Sequence, residues 1–467
     1  MPLQVGNRRR VWRRRRSVCR SLGGSVGRSK SPGFVVAALL AACAFLACSC
    51  GGEEADDSSA RIEPGQKWYN PGGRWHHKAG PRLTEEQSEE IEKLKSIGYL
   101  AGSEEPPPEA GVTVYDRERA YDGLNFYTSG HLPGAILMDM DGDVLHEWRY
   151  DFIDAWKQGP RDSLPKRAKG AGFWRRAYLF ENGDVLGIYD GLGLVKVDSE
   201  SELIWAYLEG AHHDLDVQPD GRIYVVIRDA HINPTVNPDD PVLEDYIVVL
   251  DEDGRELRRT PLLEAFRTPR YSRYLDVMKE SGDIFHTNTI EVLDSTLEGE
   301  VAGFEEGNIL VCVRELDVAA VVDDETGKVV WAARAPWSKP HDTTVLPNGN
   351  MMIFDNRGYG GASRVVEFDP KTLEIVWDYH GEDPLDFYSK ECGANQRLPN
   401  GNTLLTESDG GRALEVTPEG EIVWEYVNPA HAGPDSEFIA SIFDMVRLEP
   451  DFPLDWLEEN GTVHSHQ

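Results

Sequence analysis

An all-β, six-bladed β-propeller is the fold the sequence predicts, on three observations. A turn followed by alternating apolar residues and a tryptophan recurs as DGDVLHEW, SESELIW, ETGKVVW, KTLEIVW and PEGEIVW, ending at Trp148, Trp205, Trp331, Trp377 and Trp424. DEDGRELRRT at 251–260 is a sixth copy without the Trp. A turn-plus-strand unit also recurs, as ENGDVLGIYD, QPDGRIYVVI, LPNGNMMIFDN and LPNGNTLLTE, with EEGNILVCVREL resembling it. Short strands such as GLVKVD, DYIVVLD, DVAAVVD, SRVVEFD and RALEVT complete each period of about 45–55 residues, and four period-2 strands per period are what a propeller blade contains.

The elements ahead of the repeats have different compositions. Residues 1–47 hold ten Lys/Arg and no acidic side chain. RRRVWRRRRSVCR and then FVVAALLAACAFLACSC read as the basic and apolar regions of an export signal, too short for a comfortable membrane span. FLAC at 45–48 has the form of a bacterial lipobox, with Cys48 the expected lipidated residue; LAAC, ending at Cys43, fits locally as well, and Cys50 stands beside them. An exported lipoprotein on the periplasmic side of the envelope or at the cell surface is expected, touching membrane only through this anchor. Residues 48–110 read as an acidic tether, with WHHK at 75–78 solvated. Within it LTEEQSEEIEKLKSIGYL reads as one helix near 83–97, with Thr84 and Gln87 as a capping box and Ile91, Leu94 and Ile97 on one face. EEPPPEAG marks the boundary, and residues 111–467 form the propeller. The region 223–285 exceeds one period and carries an insertion, partly helical at RTPRYSRYLDVMKESG.

Composition narrows the partners. Ten of the 48 basic residues lie in the export segment, leaving 38 against 81 acidic residues, about −43 in charge. That field repels nucleic acid and anionic lipid, so an anionic substrate needs its own pocket of positive charge. Beyond the export segment only Cys312 and Cys392 remain, which is no disulfide framework.

The chemistry lies in histidines placed by the repeat. In HDTTVLPNG, His341 stands eight residues before Gly349; in HDLDVQPDG, His213 stands eight before Gly221; in GANQRLPNG that place is Gly393. HTNTIEVLD lacks the turn, but His286 holds the same offset from Ile290. Rotation about a propeller axis would turn one shared phase into imidazoles converging from different sides. Such a cluster suits either a metal with an open position or a nucleophile with hydrogen-bond donors around an anion. Arg314, leaving the strand GNILVCVREL, is a candidate bidentate clamp for a tetrahedral anion and tips the balance away from a metal. Asp214 and Asp342, directly after two of the histidines, either orient rings and backbone or cap turns.

HHDLDVQPDG, HTNTI, GNILVCVREL, PHDTTVLPNGNMMIFDNRGYGGASRVVEFD and GANQRLPNGNTLLTESDGGRALEVTPEGEIVWEY resemble the bacterial arylsulfotransferase family over residues 120–450, as a divergent member. The resemblance implies a six-bladed propeller that moves a sulfuryl group from an aryl sulfate donor to a phenolic acceptor, without a nucleotide donor, cofactor or metal. It implies that His341 is the nucleophile that becomes N-sulfated. His213 and His286 would hold the sulfuryl oxygens, with Arg314 as clamp. His212 and Asn288 stand beside them as further substrate-binding candidates. Two features set the chain apart: residues 100–120 are too short for the β-sandwich of the family's characterised enzymes, and Cys312 and Cys392 do not reproduce their close cysteine pair. A metal-dependent propeller lyase or hydrolase on the same histidines is the alternative chemistry, and an envelope binding propeller the non-catalytic one; a homodimer is left open.

Overall fold

The structure, a computed structural model, describes residues 68–69, 83–95, 99–158, 169–383 and 386–459. The export segment with Cys43, Cys48 and Cys50, and WHHK at 75–78, lie outside them. Six antiparallel sheets with four strands in blade order make six blades. Blades one to five begin with the inner strands Arg176–Leu179, Ala211–Val217, Thr287–Val292, His341–Val345 and Ala394–Arg397. Blade six joins the two ends of the propeller: Ile442–Leu448 is its inner strand, paired to Leu124–Ser129, with Gly134–Met138 and Val144–Arg149 outside. That pairing closes the ring through backbone hydrogen bonds between the two ends of the propeller.

The tryptophan repeat has a physical reason. Trp205 Nε1 donates to Glu252 O at 3.1 Å, Trp377 to Pro418 O at 2.8 Å and Trp424 to Met140 O at 3.0 Å. Each acceptor sits in the turn before the outermost strand of the next blade, so the indole latches blade to blade while its ring is packed. In blade two Arg258 pairs with Val249 as Trp377 pairs with Glu367, and Arg258 Nη1 donates to Asp324 O at 2.6 Å. The copy without Trp therefore keeps the latch through a guanidinium. In blade six the equivalent residue is His146, opposite Leu137, and its Nε2 bonds Ser199 O at 2.9 Å. Trp148 lies two residues further and bonds Gly183 O instead. Trp331 packs edge-on against Phe304.

Inside the segment read as a tether, Trp68–Tyr69 adds a parallel strand to the edge of blade one. The helix runs Glu85–Lys95. Its capping box is reciprocal: Gln87 N donates to Thr84 Oγ1 at 3.1 Å and Thr84 N to Gln87 Oε1 at 3.0 Å. Ile91 and Leu94 are buried against Ala230 and Leu243 of blade two. The insertion comprises the loop 232–241, the helix Leu262–Phe266 and the 3₁₀ turn Ser272–Val277. Gly111–Tyr115 is a fifth, outer strand of blade five. Cys312 and Cys392 are buried free thiols. Among the described residues no helix is long and apolar enough to cross a membrane.

Candidate active site at the inner strands

The inner strands that carry the histidines, in blades two, three and four, are bulged at their starts. Ladder registers slip between Ala211 and Leu215, between Thr287 and Thr289, and between His341 and Thr344. His213 and Asp342 lie inside these slips and His286 just ahead of one, and the three adopt left-handed φ of 57°, 42° and 53°. A bulge re-aims side chains, and left-handed non-glycine residues are strained conformations that cluster at functional sites.

The register also corrects the phase of His286. Val217, Val345 and Val292 occupy equivalent ladder positions opposite Ile223, Met351 and Ile309. His213 and His341 lie four residues before theirs, whereas His286 lies six before Val292 and Asn288 takes the shared position. Counting from Ile290 set the wrong register, because the turn glycine of this hairpin, Gly307, is displaced by the loop 293–308. Arg175, four before Leu179, and Gly393, four before Arg397, take the same position in blades one and five. In blade six that count from Leu448 gives Asp444, which pairs with Arg176 instead, and Phe443 meets Tyr99. Gly393 is required at its position, since a Cβ would come within 2.5 Å of the Phe354 ring.

His341 is buried and its tautomer is fixed from behind. Asn356 Nδ2 donates to Ser389 O at 2.7 Å and Cys392 O at 2.6 Å, so its Oδ1 must face His341. His341 Nδ1 lies 2.7 Å from that oxygen and 3.1 Å from Lys339 O. Both partners are acceptors, so the proton is on Nδ1 and Nε2 carries a lone pair. His341 Nε2 is buried without a hydrogen-bond partner. Burial, then the charges of Arg314 and Arg175, hold its pKa well below the usual 6.5. A neutral imidazole with a bare nitrogen is what results.

His213 and His286 come together, their ring centroids 4.7 Å apart. Tyr99 joins them: its hydroxyl is 2.7 Å from His213 Nε2 and 2.9 Å from His286 Nε2. His286 Nδ1 lies 2.5 Å from Asp283 Oδ2. With that proton given to a carboxylate, the Nε2 of a neutral His286 accepts from Tyr99 O–H, and His213 Nε2–H must donate to the Tyr99 oxygen. His213 Nδ1 then accepts from His212 Nδ1 at 2.5 Å. The result is one directed hydrogen-bond chain, His212 to His213 to Tyr99 to His286 to Asp283. Burial lowers the pKa values of His212 and His213 and raises that of Tyr99, which suits neutral members. Burial would raise Asp283, but His286, and then Arg228, hold its carboxyl below the ordinary value.

Three cations edge the site. Arg314 is buried, with Nη1 on Glu315 Oε1 at 2.5 Å and Nη2 on Glu391 Oε2 at 2.7 Å. Its clamping nitrogens thus face carboxylates in this structure, while Nε has no hydrogen-bond partner. Arg175 lies over the Tyr99 ring at 5.2 Å and gives Nη1 to Phe443 O at 3.2 Å. Arg228 pairs with Asp190 at 3.3 Å. Asn288 is buried and donates to Pro340 O at 2.8 Å, bracing the residue before His341. Sequence reasoning passed over Arg175 although it stands eight residues before Gly183, and passed over Tyr99, which no repeat contains.

Asp190, His212 and His213 present ligand atoms within 4.8 Å of one another and could hold an ion. Arg228 on Asp190, and the hydrogen bond between the Nδ1 atoms of His212 and His213, compete with that use. Asp214 and Asp342 neither cap turns nor touch the imidazoles. Asp214 Oδ2 accepts Ile290 N at 3.0 Å and Asp342 Oδ2 accepts Asn395 N at 2.5 Å, each on the inner strand of the following blade.

Among solved structures, the chain resembles a protein of unknown function from Bacteroides caccae at 14% identity and TM-score 0.43, over 69% of this chain and 98% of that one. It also resembles a streptogramin B lyase at 14% identity and TM-score 0.40, over 76% and 96%. No curated protein matches. The sequence profile of the arylsulfotransferase (ASST) family matches residues 177–429, more than half of the chain and the span that holds every histidine and arginine of the site except Arg175. The chain belongs to the arylsulfotransferase family, and its function is of the sulfotransferase type.

Proposed function

We propose that the protein moves a sulfuryl group from an aryl sulfate to a phenolic acceptor, without a nucleotide, through a sulfohistidine at His341. The observation that carries this reading is the bare, buried Nε2 of His341, kept as a lone pair by Asn356 and kept neutral by burial and neighbouring guanidiniums. The nitrogen attacks sulfur as the donor's phenolate departs, and the acceptor oxygen then takes the group from nitrogen, so the kinetics are ping-pong. Charge on the transferring group is met by Arg175 and Arg314 and by the Nε2–H of His213. Donors set in place before reaction are each worth about 10²–10³ in rate. His286, backed by Asp283, is the group placed to accept the acceptor's proton.

Turnover of 4-nitrophenyl sulfate with phenol, compared between the protein and His341→Ala, tests the assignment; equal rates would remove it. A metal-dependent lyase or hydrolase is a second reading, motivated by Asp190, His212 and His213. Elemental analysis separates the two, since stoichiometric zinc in active protein favours the second and metal-free activity excludes it. We read residues 1–48 as directing the protein to the envelope as a lipoprotein. Labelling with a fatty-acid probe, lost in Cys48→Ala, tests that placement.

A further inference from the structure

Tyr99 is itself a phenol, standing in a site that handles phenols. It enters from outside the repeats on a segment fixed at both ends. Ahead of it the helix Glu85–Lys95 is seated on blade two. Behind it Ser441 N donates to Ala101 O and Ile439 N to Glu104 O, both at 2.9 Å. Gly130 lies so near Ala101 that a Cβ there would be 1.9 Å from the carbonyl oxygen. The residue is part-exposed while its hydroxyl is deeply buried. Position along the chain therefore delivers this one hydroxyl into the pocket.

The surroundings of the hydroxyl are those an attacking phenol needs. Its proton points at His286 Nε2, 2.9 Å away, and that ring is backed by the Asp283 carboxylate. Its oxygen receives the Nε2–H of His213 at 2.7 Å. Arg175 covers its ring at 5.2 Å. Tyr99 packs against Phe173, Cys392 and Phe443, and Cys392 O receives Asn356, the residue that backs His341, so the phenol and the imidazole adjoin one cluster. The charges of Arg175 and Arg314 reach both. Burial keeps the phenol neutral, which makes a base necessary, and His286 is in place as that base.

We propose that Tyr99 is a modification site, an internal acceptor that takes the sulfuryl group from His341 and becomes tyrosine O-sulfate. The proposal rests on the sulfohistidine reading given above. In the step, an O–S bond forms at the Tyr99 oxygen as the S–N bond of His341 breaks. The electron pair of that bond returns to His341 Nε2, and the phenolic proton passes to His286 Nε2. The sulfuryl group comes from an aryl sulfate, whose phenolate left in the preceding step. Tyrosine O-sulfate is again an aryl sulfate, so the group stays within the chemical class that His341 attacks, and the new anion lies beside Arg175 and Arg314. Free phenol competes for the same sulfohistidine and lowers the modification.

The full chain is incubated with 4-nitrophenyl sulfate and no acceptor, digested, and mapped by mass spectrometry before and after mild acid. Mild acid cleaves the N–S bond of sulfohistidine and spares an aryl O-sulfate. One acid-stable SO₃ on the Tyr99 peptide is expected, lost in Tyr99→Phe and in His341→Ala. An acid-labile SO₃ on His341 with none on Tyr99 overturns the inference and leaves the proposed function standing. SO₃ on neither residue overturns both. A Tyr99 adduct that persists in His341→Ala overturns the route through His341.

Discussion

Adjacent residues of the same inner strands build two opposite environments. Arg175, His213 and His341 face the site, and the next residues, Arg176, Asp214 and Asp342, form a second layer around the propeller axis. In the first layer burial holds imidazoles neutral among guanidiniums. In the second, Arg176 meets Asp214 at 3.0 Å, Asp444 at 2.8 Å and Asp342 at 3.7 Å. Burial raises Asp342 to about 7, Asp216 to about 6 and Glu291 to about 8. These carboxyls cap the backbone of the next blade: Asp216 takes Val292 N at 2.6 Å and Glu291 takes Val345 N at 3.3 Å. One layer leaves a nitrogen unpaired and ready to react, while the other pairs its groups and joins blades. The two should therefore separate activity from stability when they are mutated.

The largest separation is expected at His341. His341→Ala should cost turnover on the order of 10⁴–10⁶, the range of a lost nucleophile, with little change in melting temperature. A comparable loss of stability would mean that the imidazole is structural. Arg176→Met should do the reverse. It leaves three buried carboxylates without their shared cation, a change worth about 3–5 kcal/mol, read as a lowered denaturation midpoint.

Asn356→Leu comes next. It frees the His341 tautomer, and loss of such a backing partner typically costs about 10–100-fold in activity. Its signature is a changed pH profile, because the neutral, Nδ1-protonated ring is no longer enforced. In the unmodified protein kcat/KM should hold as pH falls through about 6.5, the free imidazole value, since the folded pKa is depressed.

The second layer has the opposite pH sign. Glu291 has a raised folded pKa, so its contribution is present below the unfolded value of about 4.3 and is lost as pH rises toward the folded one. Glu291→Gln should therefore flatten the fall in melting temperature between about pH 5 and 8. The smallest effect is expected far from both layers. Trp377→Phe keeps most of the packing and loses the bond to Pro418 O, about 1 kcal/mol, without touching turnover.

Much of this was legible in the repeats, for physical reasons. Turn glycines and the tryptophan latch recur because every blade must reverse its strands and hold its neighbour, so repetition alone counts six blades. Alignment on Gly221 and Gly349 found His213 and His341, and the same alignment on Gly183 points to Arg175. His286 was found at a mistaken phase, because the loop 293–308 separates its strand from the turn that sets the register. The roles of Asp214 and Asp342 were not legible, since their backbone partners belong to the following blade, 76 and 53 residues away respectively. Tyr99 carries no repeat signal at all. Its place arises only when the segment before the propeller docks onto blades two and six.

The central claim is that His341 carries the group in transit. Rapid mixing with 4-nitrophenyl sulfate, an alkaline quench and peptide mass spectrometry test it directly. One SO₃ on the His341 peptide, formed as nitrophenol is released and discharged on adding phenol, is the predicted result. Nitrophenol release at full rate with His341 unmodified at every time point would contradict it.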